Sequence, residues 1–237
     1  MREALELAER GRGHTSPNPV VGALVVKAGR VLGRGWHERF GGPHAEVVAL
    51  RRAGRRAAGA TLYLTFEPCA HLGKTPPCVD AIRAARVDQV VLGAGDPNPL
   101  AGGGARVLRA AGVKVVRGVL EAACRLQNAP FFKYVRTGLP LVSVKWAMSA
   151  DGKIATARGE SRWISGEAAR AFAHRLRAAH DAVLVGVGTV LADAPLLTAR
   201  PAAGGNGWQP RRVILDSQAR TPLDLSLIHI SEPTRPY

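Results

Sequence analysis

Aromatic residues are scarce, at 5% of the 237-residue chain. Surfaces that bind single-stranded nucleic acid interleave aromatic rings with basic groups, and no such series is present. Acidic residues are also few: 18 Asp and Glu face 33 Lys and Arg, for a net charge of +15. The basic residues form no dense block. Surface charge spread by an Arg-rich coding bias, or an anionic phosphate-bearing ligand, accounts for the excess better than a nucleic-acid partner does. Cysteine is nearly absent. Three residues are too few for a disulfide framework, so they read as ligands or core groups. Cys124, in the helical pattern Leu120-Glu-Ala-Ala-Cys-Arg-Leu126, reads as a packed thiol. No apolar run is long enough to span a bilayer. The N-terminus alternates charged and apolar residues and lacks the features of a secretory leader. A cytoplasmic location without a membrane partner is therefore expected. Hydrophobic residues in general are abundant, at 46%, enough to bury a core.

Residues 1–117 alternate helix-like and strand-like segments. Residues 2–11 read as an amphipathic helix. Val20–Val26 and Val31–Trp36 read as strands around the turn Ala28-Gly29. His44–Ala53, Val79–Ala85 and Gly104–Ala111 read as helices. Thr61–Thr65, Gln89–Gly93 and Val113–Val116 read as strands. Such alternation predicts an α/β sheet with helices on both faces. Residues 118–140 read as a helix followed by a turn-rich linker. A second set then opens with a strand at Leu141–Trp146, a helix at Glu167–Ala178, and strands at Ala182–Gly186 and Arg212–Leu215. The expected domains are 1–117, a linker at 118–140, and 141–224. The second set holds too few elements to close a nucleotide-binding domain. Gly186-Val-Gly188 is not a dinucleotide fingerprint, because Leu191 stands where Gly or Ala is needed. Gly102-Gly-Gly104 reads as a strand-to-helix loop.

The chemistry-bearing residues are His44-Ala-Glu46, Glu67-Pro-Cys69, and Cys78 in Pro76-Pro-Cys78. One imidazole and two thiolates give zinc three ligands and leave one tetrahedral position for an activated water. Glu46 lies two residues from His44 at the start of a helix. From there its carboxylate reaches the open position without ligating, which suits a proton carrier. The order H-x-E…P-C is that of zinc-dependent nucleobase deaminases, whose pattern closes as Cys-x-x-Cys. Here eight residues separate the cysteines. The insert Ala70-His-Leu-Gly-Lys-Thr-Pro-Pro77 carries polar groups that suit a polar substrate.

With Thr15-Ser-Pro-Asn-Pro-Val-Val-Gly22, Ser149-Ala-Asp-Gly-Lys153, Gly159-Glu-Ser-Arg-Trp-Ile164 and Val190-Leu-Ala-Asp-Ala-Pro-Leu-Leu-Thr198, these motifs resemble the bifunctional riboflavin-biosynthesis deaminase/reductase over residues 1 to about 224. The resemblance implies a three-layer αβα cytidine-deaminase-like domain, then an incomplete dihydrofolate-reductase-like α/β domain. It implies deamination of 2,5-diamino-6-ribosylamino-4(3H)-pyrimidinone 5′-phosphate, followed by NADPH-dependent reduction of the ribosyl chain. Carried over by position, Asn18, His37, His71 and Lys74 are deaminase substrate contacts. Lys145, Ser161, Arg177, Leu197 and Arg200 are reductase substrate positions. Ala147, Trp163, Thr189, Asp193 and Ser217 are NADPH positions. A homo-oligomer joined through the reductase domain is implied as well.

Members of that family continue past residue 224 into further strands and a Gly-rich loop, so the deaminase half is expected to be complete and the reductase half unable to turn over. Two rival readings are a tRNA or nucleoside deaminase, and a basic nucleic-acid-binding module with a structural zinc. The cysteine spacing and second domain disfavour the first; Glu46 has no purpose in the second. The stretch Leu225–Tyr237 fits no preceding pattern and back-translates into a common transposase-type sequencing adapter. It is expected to be read-through, which a genomic read across the Leu225 codon checks.

Overall fold

The computed structural model describes residues 1–73, 76–200 and 208–229. Two compact units are formed, Met1–Val142 and Ser143–Tyr237.

The first unit is built on a five-stranded sheet of order β2-β1-β3-β4-β5. The strands are β1 (Gly22–Lys27), β2 (Arg30–Trp36), β3 (Thr61–Phe66), β4 (Gln89–Ala94) and β5 (Lys114–Val116). The β1–β2 hairpin turns through Ala28 and Gly29, both at positive φ. Paired left-handed residues match the twist of a two-residue hairpin. β1 also runs antiparallel to β3, whereas β3, β4 and β5 are parallel. The parallel strands are joined by helices α3 (Cys78–Ala84) and α4 (Gly104–Ala110), as parallel pairing requires.

Alternation along each strand divides the side chains between two layers. Ala23 and Val25 of β1, Leu62 and Leu64 of β3, and Val90 and Leu92 of β4 enter the main core. That core lies under α2 (Ala45–Ala53), α3 and α4. On the opposite face, Leu24 packs with Ala4 and Leu7 of α1 (Arg2–Glu9). Trp36 closes this side, with the guanidinium groups of Arg10 and Arg52 at 5.1 and 5.2 Å from its ring.

The segment expected to be a helix followed by a linker is helical over most of its length. It forms α5 (Glu121–Gln127) and α6 (Ala129–Thr137), split at Asn128, and both lie within the first unit. Cys124 and Phe132 are buried with Phe66 and Ala94. Burial drives the Cys124 thiol up to about 11, an unreactive protonated state at neutral pH.

α2 seats on the sheet more closely than ordinary side chains allow. A Cβ on Gly35 would collide with the Ala45 carbonyl and lie 2.5 Å from the Ala49 amide nitrogen. A Cβ on Gly33 would collide with the Ala49 carbonyl. Small residues thus meet on both sides of the joint: two glycines on β2 and Ala45, Ala49 and Ala53 on α2.

In the second unit, β6 (Ala182–Gly186) pairs in parallel with β7 (Arg211–Leu215). Helices α7 (Glu167–Ala178), α8 (Val187–Asp193) and α9 (Ser226–His229) accompany them. Val190, Leu197 and Leu227 form its small core, and Leu227 belongs to α9, within the stretch expected to be read-through. The strand expected at Leu141–Trp146 does not form. Its apolar residues Val142, Val144 and Trp146 are exposed. An extended segment becomes a strand only by pairing its backbone, and among the described residues none pairs with it.

Replacing Gly35 by Ala is expected to lower unfolding stability by about 1–3 kcal/mol, because the added methyl meets backbone that cannot yield. A urea-unfolding midpoint equal to wild type contradicts the close-seating account.

Candidate active site

The carboxyl ends of β3 and β4 and the N-terminus of α2 open onto one cavity of about 270 Å3. Ligand sites in α/β sheets favour this edge, where loops diverge from the strand ends.

His44 is the N-cap residue of α2, held in extended backbone just before the first turn. Cys69 follows β3, and Cys78 begins α3. Their donor atoms all lie within 4.8 Å of one another. His44 Nδ1 is 3.1 Å from Cys78 Sγ and 3.7 Å from Cys69 Sγ. The Cys78 backbone N–H donates to Cys69 Sγ at 3.4 Å. Hydrogen bonding with the Cys78 side chain is the main influence holding Cys69 far below the ordinary thiol range, and His44 adds to it. Cys78 is correspondingly driven up. His44 is raised, chiefly by its hydrogen bond with Cys69. A thiolate beside a second thiol and an imidazole is a soft N/S donor set, and its chemistry fits zinc. Among the described residues it is the one His/Cys/Asp/Glu group so assembled.

Glu46 sits in the first turn of α2, 3% exposed, and lines the same cavity without belonging to the donor group. Burial pushes its carboxyl up, against the opposing pull of His44.

Asn18 and His37 line the cavity as well, with the His37 ring edge to face against that of His44, 5.1 Å between centroids. His37 is buried, and its Nδ1 lies 3.1 Å from the Pro43 carbonyl. A carbonyl only accepts, so Nδ1 carries the proton. Nε2 is then an acceptor for the Asn18 amide, 3.2 Å away. Burial keeps His37 below the usual histidine range, consistent with this neutral tautomer. His71 is exposed at the rim. Lys74 lies outside the described residues.

Three residues at this site were not read from the sequence, and a fourth, Glu67, was named in its motif without a role. Glu67 is buried at the end of β3; its two oxygens accept from the backbone N–H of Asp96 at 3.1 Å and of Ala105 at 2.9 Å. It ties β3 to the loop after β4 and to the first turn of α4, two residues from Cys69. Asp96 and Asn98 line the cavity from that loop, where Asp96 Oδ1 accepts from Asn98 N–H at 2.8 Å. The turn-forming run Asp96-Pro-Asn-Pro99 after a parallel strand was a usable signal for both. Phe131 of α6 lines the cavity and meets Phe66 edge to face, with centroids 5.6 Å apart.

In the second unit Arg177 and Arg200 come together. Both bond to Thr198, Arg177 through its carbonyl at 2.8 Å and Arg200 through its hydroxyl. Burial, then the nearby Arg200 charge, lowers Arg177. Two cations held side by side suit an anionic group. Leu197 is buried in the core with Val190 and Leu227. Among the described residues no hydrogen bond or ion pair joins Lys145, Ser161, Thr189, Asp193 or Ser217 to that pair. Lys145, Thr189, Asp193 and Ser217 are exposed. Ala147 and Ser161 are partly covered. Trp163 is 72% exposed, with the Arg170 guanidinium 4.4 Å from its ring.

Comparison with known proteins shows where this arrangement recurs. The family described as the cytidine and deoxycytidylate deaminase zinc-binding region matches residues 1–94, and that described as the RibD C-terminal domain matches residues 140–235. The riboflavin biosynthesis protein RibD of Actinobacillus pleuropneumoniae is 49% identical over 99% of this chain. The chain belongs to the RibD family. Its relative from Aquifex aeolicus is 48% identical over 98% of the chain. The chain spans 62% and 65% of the lengths of these two RibD proteins. RibD of Acinetobacter baumannii superposes with a TM-score of 0.91 at 45% identity, over 97% of this chain and 65% of that one. A Thermotoga maritima structure, described as a diaminohydroxyphosphoribosylaminopyrimidine deaminase/5-amino-6-(5-phosphoribosylamino)uracil reductase, gives 0.87 at 47% identity, covering 92% of this chain and 62% of that one. The RibD chain thus pairs a zinc-binding, cytidine-deaminase-like α/β unit with a RibD-type second unit. No helix among the described residues is long and apolar enough to cross a membrane.

Changing Glu67 to Gln turns one buried acceptor into an NH2 group facing a backbone N–H. The expected cost is about 1–3 kcal/mol, read as a lower Tm. An unchanged Tm removes Glu67 from its bracing role.

Proposed function

We propose that this chain deaminates 2,5-diamino-6-ribosylamino-4(3H)-pyrimidinone 5′-phosphate in riboflavin biosynthesis, in the cytoplasm. One observation carries the reading: His44 and Cys69 of a soft three-donor group, a buried non-ligating carboxylate and the Asn18–His37 pair all line the same cavity.

His44, Cys69 and Cys78 hold zinc in this proposal. When bound, the ion supplies a Lewis acid that brings the pKa of water toward neutrality. Glu46 carries both protons of the attacking water in turn: the first to the ring nitrogen as the C–O bond forms, the second from the new hydroxyl to the amino group, which leaves as ammonia when the C–N bond breaks. Its place on the first turn of α2, two residues past His44, fixes it beside the metal donors without making it one. Asn18 presents amide groups to the pyrimidinone edge, oriented by the acceptor Nε2 of His37. His71 and Lys74 serve the polar side of the substrate, Lys74 as a point charge for its phosphate. The relatives' names and the match to a zinc-binding deaminase family support this assignment.

For the second unit we propose family roles by position. Lys145, Ser161, Arg177, Leu197 and Arg200 face the deaminated product, a phosphorylated aminouracil. Ala147, Trp163, Thr189, Asp193 and Ser217 face NADPH. The adjacent Arg177 and Arg200 suit the phosphate. Association into a homo-oligomer belongs to the same proposal.

Glu46→Ala is expected to retain zinc on metal analysis and to lose about 10²–10⁴-fold in kcat for ammonia release. Activity surviving the change refutes the role of Glu46. Ammonia from cytidine in place of the pyrimidinone phosphate redirects the substrate assignment. NADPH oxidation with the deaminated product is expected to be absent, because most of the proposed cofactor positions are exposed and unconnected; a normal rate contradicts this.

A further inference from the structure

Asn128 separates α5 from α6 and lies outside every motif singled out in the sequence. It is 3% exposed. Its side chain treats Val20 as a neighbouring strand would: the Val20 N–H donates to Asn128 Oδ1 at 2.8 Å, and Asn128 Nδ2 donates to the Val20 carbonyl at 2.9 Å. Both bonds are buried, and 108 residues separate the partners. A primary amide is the one side-chain group that offers a donor and an acceptor in the spacing of a peptide unit.

Each end of this clamp leads to the cavity. Val20 lies between Pro19 and Val21, and all three follow Asn18; Asn18, Pro19 and Val21 line the pocket. On the other side, the Asn128 carbonyl accepts from Phe132 N–H at 3.0 Å in the first turn of α6. That turn presents Phe131 to the same pocket. The Phe131 ring is held edge to face against Phe66 and Phe132, at 5.6 and 6.3 Å between centroids. Neighbouring bonds draw the helical pair onto α1: Gln127 Nε2 donates to the Leu5 carbonyl at 2.8 Å, and Arg12 donates to the Gln127 carbonyl at 3.0 Å.

We propose that Asn128 is a positioning residue for substrate. It locks the strap bearing Asn18 to the helix bearing Phe131, and so fixes the distance between the polar and aromatic walls that receive the pyrimidinone ring. The residue touches neither the reacting atoms nor the metal donors; it acts through Val20 and Phe132. The substrate named here rests on the deamination reading above.

The test uses Asn128→Ala and Asn128→Asp in the full chain. Alanine removes both bonds. Aspartate keeps an acceptor for Val20 N–H and sets a second acceptor against the Val20 carbonyl. Steady-state ammonia release from the pyrimidinone phosphate should show KM raised by about tenfold or more with kcat within about threefold, since binding geometry is lost while the proton carrier and donors stay in place. Zinc content should remain that of wild type. Hydrogen exchange should show faster exchange in residues 15–21, with α2 and β3 unaffected. Unchanged KM in an active variant overturns the proposal. Unchanged protection of residues 15–21 does so as well, and so does a joint loss of kcat and zinc, which marks a general structural role. Should alanine prevent folding, the aspartate variant decides by the same measures. If wild type releases no ammonia, the deamination reading fails separately, and exchange at residues 15–21 decides the clamp by itself.

Discussion

The seating of α2 on β2 is the constraint on which the rest of the first unit depends. His44 and Glu46 both belong to the start of that helix, so their depth and direction are set by how closely the helix meets the sheet. Gly33 and Gly35 admit backbone where any side chain would intrude. The alanines of α2 complete a joint with almost no side-chain thickness. Interiors packed this tightly transmit displacement instead of absorbing it. A shift of the helix by a fraction of an ångström would therefore reach the imidazole and the carboxylate together, while Cys69 and Cys78, on β3's loop and α3, stayed behind.

The other two donors depend on a different support. Cys69 leaves β3 two residues after Glu67, whose carboxylate holds two backbone N–H groups from separate segments. Charge-assisted bonds to a buried carboxylate are among the stronger polar contacts available to a protein. The site is thus assembled from a close-packed helix on one side and a braced loop on the other.

The sequence made one half of this readable. Strand alternation and helical period placed the elements of the first unit to within a few residues, because each repeat reflects burial on one face. The His-x-Glu and Pro-Cys spacings exposed the donors and Glu46, since their chemistry restricts which residue types suffice. The roles of Asn128, Glu67 and Phe131 were not readable. Their partners lie far along the chain, and a side-chain bond across such a separation leaves no periodic trace. Residues 118–140 looked like a linker for a related reason: α5 and α6 are short and broken at Asn128, and only the tertiary contacts of Cys124 and Phe132 disclose that they belong to the core. The strand expected at Leu141–Trp146 erred the other way. Its composition suits a sheet, but strand formation needs a partner backbone, and composition cannot supply one.

The bracing by Glu67 also bears on what holds the metal donors in place. Small zinc modules commonly fold only as the ion binds, so that their stability and their metal affinity are one quantity. Here the aliphatic core beneath α2, α3 and α4 is closed by residues such as Leu62, Leu64 and Ile82, none of which is a donor. The loop bearing Cys69 is anchored through Glu67 to Asp96 and Ala105. Support for the donors thus comes from side chains that are not donors themselves, so removing a donor and removing its support are separate perturbations.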